Sequence, residues 1–289
     1  MENVKRVFIP GEEWLYFQVY CGNYSADYIL SNDILLIVDD LFKKKLIDNW
    51  FFIRYNEPSH HLRIRFHITN LKFIQIVMQI INSYFIKLIE KHTVYDITIG
   101  IYKREIERYG ADTIIGIEKL FCYDSNKAIK LIKNLTAEYD EIARIFASLL
   151  MMHDLLKNFE IPLNHCQEFI KDVCLKFKLE YSVDRSSAKK ISQLYMQYKK
   201  DILLLLKEGK DPEYLEGFKE IMKISDEEIK TIKNILYKIK KKDEKNILGF
   251  VSSIIHMNIN RLFRSKPGEY EMVCYNFMNQ YLKSTIAQK

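Results

Sequence analysis

Alternating apolar and polar positions mark the segment from His61 to His67, which reads His-Leu-Arg-Ile-Arg-Phe-His. Successive side chains of a β-strand point to opposite faces of a sheet, so this alternation predicts a strand with one apolar and one polar face. The residues on the apolar face are Leu62, Ile64 and Phe66. The polar face carries Arg63 and Arg65 between the two histidines. Like charges at this spacing repel each other, which indicates that the face receives an anionic group.

Three further segments of the N-terminal part are rich in aromatic and β-branched residues, a composition typical of strands: residues 13–21, 50–55 and 94–102. The turn sequence Asn56-Glu57-Pro58-Ser59 joins the second of these to the alternating segment and predicts a β-hairpin. Apolar positions at helical spacing predict helices within residues 25–41 and 71–92.

Beyond residue 112 the apolar spacing becomes helical almost throughout, while Gly and Pro become scarce. Helices are predicted over residues 114–121, 125–133, 139–158, 163–178, 186–207, 212–222, 226–241, 245–263 and 269–285. We therefore predict an α+β fold, with a mainly antiparallel sheet packed with helices in the N-terminal part and a helix-rich C-terminal half. A single domain is expected over residues 1–289, sheet-rich at 1–112 and helix-rich at 113–289.

Charge and cysteine content narrow the function only slightly. The 289 residues include 44 Lys plus Arg and 38 Asp plus Glu, a net charge of +6 that permits an acidic partner without requiring one. The densest charged run, residues 238–245, is predicted to be a solvated linker. Five cysteines without a CxxC pair indicate buried thiols in a reducing compartment. With no signal peptide and no apolar run near the roughly 20 residues that span a bilayer, a cytoplasmic protein is predicted.

Two further segments carry residues suited to chemistry. Glu105 and Arg108 stand at positions i and i+3, where a helical turn would join them as an ion pair. The alternative is a surface pair of little energetic weight. His256 lies on an otherwise apolar helix, in a strip with polar residues at helical spacing: Ser252, Ser253 and Asn260. It is either a satisfied core histidine or a proton-transfer group.

Several kinds of site are not indicated. The sequence lacks a phosphate-binding Gly-rich loop, a GxSxG or HExxH motif and a cysteine-based metal site. His60, His61 and His67 could be imagined as metal ligands, but the interleaved arginines oppose a cation. The many tyrosines and phenylalanines are dispersed at core spacings and form no basic, aromatic sheet face for stacking bases. We therefore expect no cofactor, no metal and no direct contact with nucleic acid.

Taken in order, five groups of residues resemble one family. They are Trp14-Leu15-Tyr16-Phe17; the hairpin of residues 50–58 with His61-Leu62-Arg63-Ile64-Arg65-Phe66; residues 105–110, Glu-Ile-Glu-Arg-Tyr-Gly; Tyr123-Asp124-Ser125; and Ser253-Ile254-Ile255-His256-Met257 with Asn260-Arg261-Leu262. In this order they resemble the C-terminal elimination domain of class I lanthipeptide dehydratases, which also occurs alone in thiopeptide-type bacteriocin biosynthesis. The resemblance runs from about Phe8 to Tyr281.

The resemblance implies a specific reaction. A partner domain esterifies Ser or Thr of a ribosomal precursor peptide with glutamate from glutamyl-tRNA, and this domain then expels the glutamate by β-elimination. The products are dehydroalanine and dehydrobutyrine. The family's functional residues fall here on Arg63, Arg65, Glu105, Arg108 and His256, which we expect to line one cleft. The family commonly has a second glycine after Arg-Tyr-Gly, where this chain has Ala111.

Elementary chemistry agrees with these roles. Removal of the α-proton builds negative charge on the neighbouring carbonyl oxygen, and the departing glutamate becomes a carboxylate. Planar, permanently charged arginines suit both anions. We expect Arg63, Arg65 and Arg108 to bind glutamate and stabilise charge, Glu105 to orient Arg108, and His256 to transfer a proton.

Because the large glutamylating portion of the fused enzymes is not in this sequence, we expect a separately encoded, tRNA-dependent glutamylating subunit and a glutamylated precursor peptide as partners. No membrane partner is expected, and the sequence leaves open whether the chain forms homo-oligomers. Two alternatives remain: a cycloaddition enzyme that forms the pyridine core of a thiopeptide, and a non-catalytic scaffold that binds a leader peptide.

Overall fold

The computed structural model describes residues 4–242 and 247–287. Within them, residues 4–134 and 230–242 form one compact unit, unit 1, and residues 135–229 and 247–287 form another, unit 2. All described strands lie in unit 1, and the rest of the described chain is mainly helical. The predicted α+β class, with antiparallel strands in the N-terminal part and a helix-rich C-terminal half, is confirmed. That the chain forms a single domain stays a prediction.

The strands form two antiparallel arrangements. Their bounds are β1 (Val7–Phe8), β2 (Trp14–Cys21), β3 (Ile47–Tyr55), β4 (His61–Ile68), β5 (Val94–Ile99) and β6 (Tyr102–Lys103). Four of them make a sheet in the order β3-β4-β2-β5, and β1 pairs with β6. The hairpin predicted between residues 50–55 and 61–68 is the pair β3 and β4.

Strand β4 has the two faces that its alternation predicts. Leu62, Ile64 and Phe66 are fully buried on one face. On the other face, the register places Tyr16 of β2 and Phe51 of β3 opposite Arg65. The central strand therefore contributes its apolar face to the core and its arginines to a face lined by aromatic side chains.

Helices account for most of the remaining chain. They are α1 (Asn23–Tyr28), α2 (Leu35–Lys43), α3 (Ile74–Glu90), α4 (Ile106–Tyr109), α5 (Ile114–Asn134), α6 (Asp140–Asn158), α7 (Leu163–Glu180), α8 (Arg185–Leu203), α9 (Phe218–Met222), α10 (Asp226–Lys242), α11 (Ile247–Leu262) and α12 (Pro267–Ile286). Short π-helical and 3₁₀ segments lie at Ile29–Ile34, Leu204–Glu208, Leu71–Phe73 and Glu213–Leu215. Residues 238–242 of the predicted linker belong to α10, and residues 243–245 lie outside the described part.

Helix α5 corrects the prediction of two helices separated near Asp124-Ser125. It is continuous, because the polar residues that resemble a helix start are used for contacts with the sheet. The buried Ser125 hydroxyl oxygen accepts a hydrogen bond of 3.2 Å from the Phe52 backbone N–H. Asn126 Oδ1 accepts one of 2.9 Å from the Trp50 indole. These bonds attach α5 to strand β3.

One helical stretch, Leu71–Glu90, has the length and composition of a membrane span among the described residues. The sequence prediction that no apolar segment approaches this length overlooked it. In its most apolar 18 residues, 22% of the residues are buried. A helix packed on a protein core can have the same length and composition. Four apolar side chains of its helical part are buried along one side: Val77, Ile81, Phe85 and Leu88. This spacing is that of an amphipathic helix lying on a core.

Unit 2 is built around buried polar contacts as well as apolar packing. Arg144 of α6 is 2% exposed, and its Nε donates a hydrogen bond of 2.9 Å to Asp140. Its Nη1 donates to the Leu262 carbonyl at the end of α11. A second cation, Arg264, lies 2.6 Å from the same Asp140 carboxylate. This network holds the first turn of α6 to the chain that follows α11.

Candidate active site

Arg65 is a buried cation surrounded by aromatic rings. Its guanidinium carbon lies 4.5 Å from the centre of the Tyr16 ring, 5.0 Å from that of Tyr102 and 5.1 Å from that of Phe51. The side chain is 8% exposed, and its Nε and Nη1 atoms have no hydrogen-bond partner among the described residues. Aromatic faces attract a cation but do not accept its N–H groups as an anion does. Arg65 therefore keeps hydrogen-bonding capacity for an anionic ligand.

The Tyr102 ring is held in place by a buried ion pair. Its hydroxyl donates a hydrogen bond of 2.8 Å to Glu118. Arg104 binds the same carboxylate through two nitrogens, at 2.7 Å each. Glu118 neutralises the charge of Arg104, and this ion pair holds the Tyr102 ring in place beside Arg65. The charge of Arg65 is not neutralised in this way.

Arg63 lies on the same face of β4, two residues before Arg65. Its guanidinium carbon is 3.4 Å from the centre of the Tyr55 ring. Its Nε donates a hydrogen bond of 3.1 Å to Nε2 of His61. These contacts fix the plane of the Arg63 guanidinium, and no acidic side chain of the described residues pairs with it.

Glu105 and Arg108 form the ion pair that their spacing predicts. Arg108 Nη1 lies 3.0 Å from Glu105 Oε2, and both side chains are about half exposed. Helix α4 ends at Gly110, whose φ of 76° and ψ of 145° lie in a region that only glycine adopts readily. The Gly110 N–H donates to the Ile106 carbonyl, and the Gly110 carbonyl accepts from Ile114 N–H. The glycine thus turns the chain from the Glu105–Arg108 pair into α5.

Burial and neighbouring charges act on Arg65 and on Tyr16. Burial lowers the pKa of Arg65, Arg63 acts in the same direction, and the Glu105 carboxylate partly opposes the shift. Burial likewise raises the pKa of Tyr16, while Arg65 and Arg63 oppose that change. We call Arg63, Arg65, Glu105 and Arg108 the arginine cluster. It contains four of the five predicted site residues.

His256 belongs to unit 2, on the polar strip of α11. Its Nδ1 lies 2.8 Å from Oε2 of Glu271 on α12. The Glu271 side chain is 7% exposed and that of His256 is 50% exposed. Because a carboxylate oxygen accepts hydrogen bonds, Nδ1 of His256 carries the proton in this contact.

The structure confirms the polar strip on α11, whereas the Glu271 carboxylate that contacts it was missed in the sequence analysis. Ser252, Ser253 and Asn260 are partly exposed on α11, whereas the neighbouring Ile254 and Ile255 are buried. Glu271 follows His256 by 15 residues and lies on another helix. No spacing rule joins positions so far apart, so the sequence carried no signal for this pair. The expectation that the arginine cluster and His256 share one cleft stays a prediction.

The described residues contain no group of three or more His, Cys, Asp and Glu side chains that could hold a metal ion. Of the three histidines considered as ligands, His60 contacts the Cys21 carbonyl and His61 the Ser59 carbonyl, while His67 Nδ1 lies 2.5 Å from Asp48. Each imidazole is thus engaged in a different local contact.

With the geometry in place, comparison with known proteins identifies the family. Residues 14–282 match the family described as "Lantibiotic biosynthesis dehydratase C-term". The chain belongs to this family. The match covers all five predicted site residues, and it confirms the resemblance drawn from the sequence.

Individual relatives are much longer than this chain. The subtilin biosynthesis protein SpaB of Bacillus subtilis is 28% identical over 274 residues, which cover 89% of this chain and 24% of the relative. The nisin biosynthesis protein NisB of Lactococcus lactis subsp. lactis is 28% identical over 295 residues, covering 96% of this chain and 26% of the relative. The chain thus spans about a quarter of the length of these curated relatives.

Solved structures share the fold. The tRNA-dependent lantibiotic dehydratase MibB from Microbispora sp. 107891 superimposes with a TM-score of 0.74 at 18% identity, over 97% of this chain and 29% of MibB. The pyridine synthase TbtD from thiomuracin biosynthesis gives a TM-score of 0.59 at 12% identity, over 96% of this chain and all of TbtD. At these identities the likeness concerns the fold alone.

Proposed function

We propose that the chain is a lyase of lantibiotic biosynthesis that removes glutamate from glutamylated Ser or Thr of a precursor peptide. The products are dehydroalanine and dehydrobutyrine. The observation that carries this proposal is Arg65, a buried cation among three aromatic rings, two of whose nitrogens have no hydrogen-bond partner in the described part of the chain. Such a group fits a reaction in which a carboxylate is bound and then expelled.

The proposed reaction is a β-elimination. His256 takes the α-proton of the glutamylated residue, and the electron pair of the Cα–H bond forms the Cα=Cβ double bond. The Cβ–O bond breaks, and glutamate leaves as a carboxylate. The arginines of the cluster bind the glutamyl group and stabilise the developing charge, and Glu105 orients Arg108. The contact between His256 and Glu271 supports the base role, because the carboxylate fixes the ring.

The proposal includes partners and a compartment. Glutamylation precedes elimination and is carried out by a tRNA-dependent partner subunit, so that this chain receives an already esterified peptide. The reaction takes place in the cytoplasm, where glutamyl-tRNA is available. The family match and the names of the relatives support a role in lantibiotic biosynthesis.

The test isolates the elimination step. A precursor peptide that carries glutamyl esters is purified and incubated with the chain alone, and products are followed by mass. We expect loss of glutamate with formation of dehydroamino acids. His256→Ala is expected to lower the rate of elimination by about 10²- to 10⁴-fold, the usual contribution of a general base, so that glutamylated peptide accumulates.

The control is His165→Ala, which changes an exposed histidine of α7 in the same unit. It is expected to eliminate at the wild-type rate. A wild-type chain that leaves the ester intact, or a His256→Ala variant that eliminates normally, would contradict the proposal.

The likeness to TbtD favours a second candidate, formation of a pyridine ring from two dehydroalanines. TbtD is covered over its whole length, as expected for a stand-alone relative. The two functions differ in substrate. A pyridine-forming enzyme leaves glutamyl esters intact and cyclises a peptide that already contains dehydroalanines. The same protein preparation is therefore offered the glutamylated peptide and the peptide that contains dehydroalanines. A glutamate lyase converts the first, a pyridine-forming enzyme converts the second, and a scaffold converts neither.

A further inference from the structure

His61 is a buried neighbour of Arg63 that the expected set of site residues does not include. Its side chain is fully buried, and it lies two residues before Arg63 on the same face of β4. A buried histidine on the polar face of a sheet raises the question of which ring nitrogen carries the proton. The hydrogen bonds of His61 answer it.

The two ring nitrogens of His61 have partners of opposite kind. Nδ1 lies 2.8 Å from the Ser59 carbonyl oxygen, which can only accept a hydrogen bond. Nε2 lies 3.1 Å from Arg63 Nε, which can only donate one. Both bonds are satisfied by one form, the neutral ring with its proton on Nδ1. In the imidazolium form, and in the other neutral tautomer, an N–H would face the N–H of Arg63.

Aromatic side chains hold this ring on both neighbouring strands. The centre of the His61 ring lies 4.6 Å from that of Tyr20 on β2 and 5.5 Å from that of Tyr55 on β3. Tyr55 also contacts the Arg63 guanidinium. Arg63 is therefore held at Nε by His61 and across its plane by Tyr55. Its two terminal nitrogens make no hydrogen bond to the described residues.

We propose that His61 is a positioning residue which, as the neutral Nδ1–H tautomer, orients the Arg63 guanidinium so that its terminal nitrogens are presented to the glutamyl carboxylate. This inference deepens the proposed function and rests on it. An arginine free to rotate would contribute the same charge, but its terminal nitrogens would be aligned less well with the carboxylate. His61 thus acts on the ester through Arg63 and makes no contact with the ester itself.

The surrounding charges favour the required neutral form. Burial lowers the pKa of His61, and Arg63 acts in the same direction, while the Ser59 carbonyl opposes them. Tyr20 and Tyr55 face the ring from β2 and β3. The adjacent His60 interacts with the ion pair between Asp27 of α1 and Arg54 of β3.

The kinetic test compares two substitutions at residue 61. Gln offers an amide oxygen to Arg63, whereas Leu keeps bulk and removes the acceptor. With purified glutamylated peptide, His61→Leu is expected to lower kcat by about 10²-fold, the order expected for a misplaced catalytic group. His61→Gln is expected to recover most of the rate. His67→Leu, on the same face but paired with Asp48, is the matched control and is expected to retain the wild-type rate.

A double-mutant cycle shows whether His61 acts through Arg63. Lys at position 63 has no Nε–H in the guanidinium geometry, so His61→Leu is expected to add no further loss in an Arg63→Lys background. An equal loss in both backgrounds, or a His61→Leu variant as fast as the wild type, overturns the inference while the proposed function stands.

A measurement without substrate makes the inference independent of activity. Long-range ¹H–¹⁵N spectra of the full chain distinguish the two neutral tautomers of His61. The His61 signals are assigned as those that are missing from the spectrum of His61→Gln. We expect a protonated Nδ1 and an Arg63 Nε–H protected from exchange with water. A proton on Nε2 overturns the inference, whatever the kinetics give and even if His61→Leu does not fold. Absence of elimination by the wild type would instead overturn the proposed function.

Discussion

At the scale of single residues, Arg65 shows which part of the site a sequence can predict. The period of two placed Arg65 on the polar face of β4, and the register confirms that position. Its aromatic surroundings come from three other strands, through Tyr16, Phe51 and Tyr102. Tyr16, Phe51 and Tyr102 lie 49, 14 and 37 positions from Arg65 along the chain. Such contacts depend on strand order, which local patterns leave undetermined.

The surroundings of Arg65 predict opposite effects on activity and stability. Arg65→Met removes the proposed carboxylate ligand, and elimination is expected to fall by about 10²- to 10³-fold, as when an oxyanion donor is lost. Unfolding in urea is expected to show unchanged or increased stability, because an apolar side chain removes a buried charge whose Nε and Nη1 have no hydrogen-bond partner among residues 4–242 and 247–287. Loss of the three ring contacts acts against this gain.

Arg104→Met is the matched comparison for Arg65→Met. Arg104 is also buried, but it binds Glu118, so its removal leaves that carboxylate without its counter-charge. The stability of Arg104→Met is expected to fall by about 3–5 kcal/mol, the usual effect of breaking a buried pair. If both variants lost stability equally, the view of Arg65 as an uncommitted cation would be wrong.

At the scale of secondary-structure elements, α5 shows how a local signal can mislead. Asp124-Ser125 has the composition of a helix start, but here the hydroxyl of Ser125 is used by strand β3. A side chain that can cap a helix can equally accept a hydrogen bond from a backbone N–H of a neighbouring strand. Only the tertiary fold decides which of these two bonds forms. Strands β2 to β4, by contrast, were predicted closely. Alternation predicted β4, and a composition rich in aromatic and β-branched residues predicted β2 and β3.

The bond between α5 and β3 can be measured. Ser125→Ala removes the hydroxyl that accepts from Phe52 N–H in a fully buried position, so unfolding in urea is expected to show a loss of about 1–3 kcal/mol. Ser83→Ala is the control, since its hydroxyl bonds to a carbonyl of its own helix on an exposed surface. It is expected to change stability by less than about 0.5 kcal/mol. Equal effects of the two substitutions would show that the contact with β3 contributes nothing.

At the scale of the whole molecule, the predicted α+β class agrees with the structure, with strands in the N-terminal part and helices in the C-terminal half. Composition and period carry this information, because each element must bury one apolar side. The two compact units divide at residue 134, whereas the change from strands to helices was placed near residue 112. The difference is α5, a helix that packs on the sheet. Periodicity identifies a helix but does not say which layer it joins.

Acid is expected to destabilise the fold through two neighbouring histidines. Burial lowers the pKa of both His60 and His61 in the folded chain. Below the ordinary histidine pKa of about 6.5, the unfolded chain therefore binds more protons, and stability falls as the pH is lowered. Urea midpoints are expected to decrease from about pH 8 to about pH 5.

The variant His60→Asn with His61→Gln, which cannot titrate at these positions, is expected to lose less stability over the same range. His165→Gln, on an exposed part of α7, serves as the control and is expected to follow the wild type. A double variant whose midpoint falls as steeply as that of the wild type would assign the acid sensitivity to other groups.

The ring-lined environment of Arg65 also links folding to catalysis. In the unliganded chain, a positive charge is removed from water and left without a counter-ion among the described residues. An anion that binds there supplies the missing charge, and any ligand that prefers the folded state stabilises it. In the proposed reaction, the fold forgoes some stability when the site is empty and recovers it when the glutamylated peptide binds. Departure of glutamate would then return the protein to its less stable form, so that product release would work against the interaction that first holds the ester.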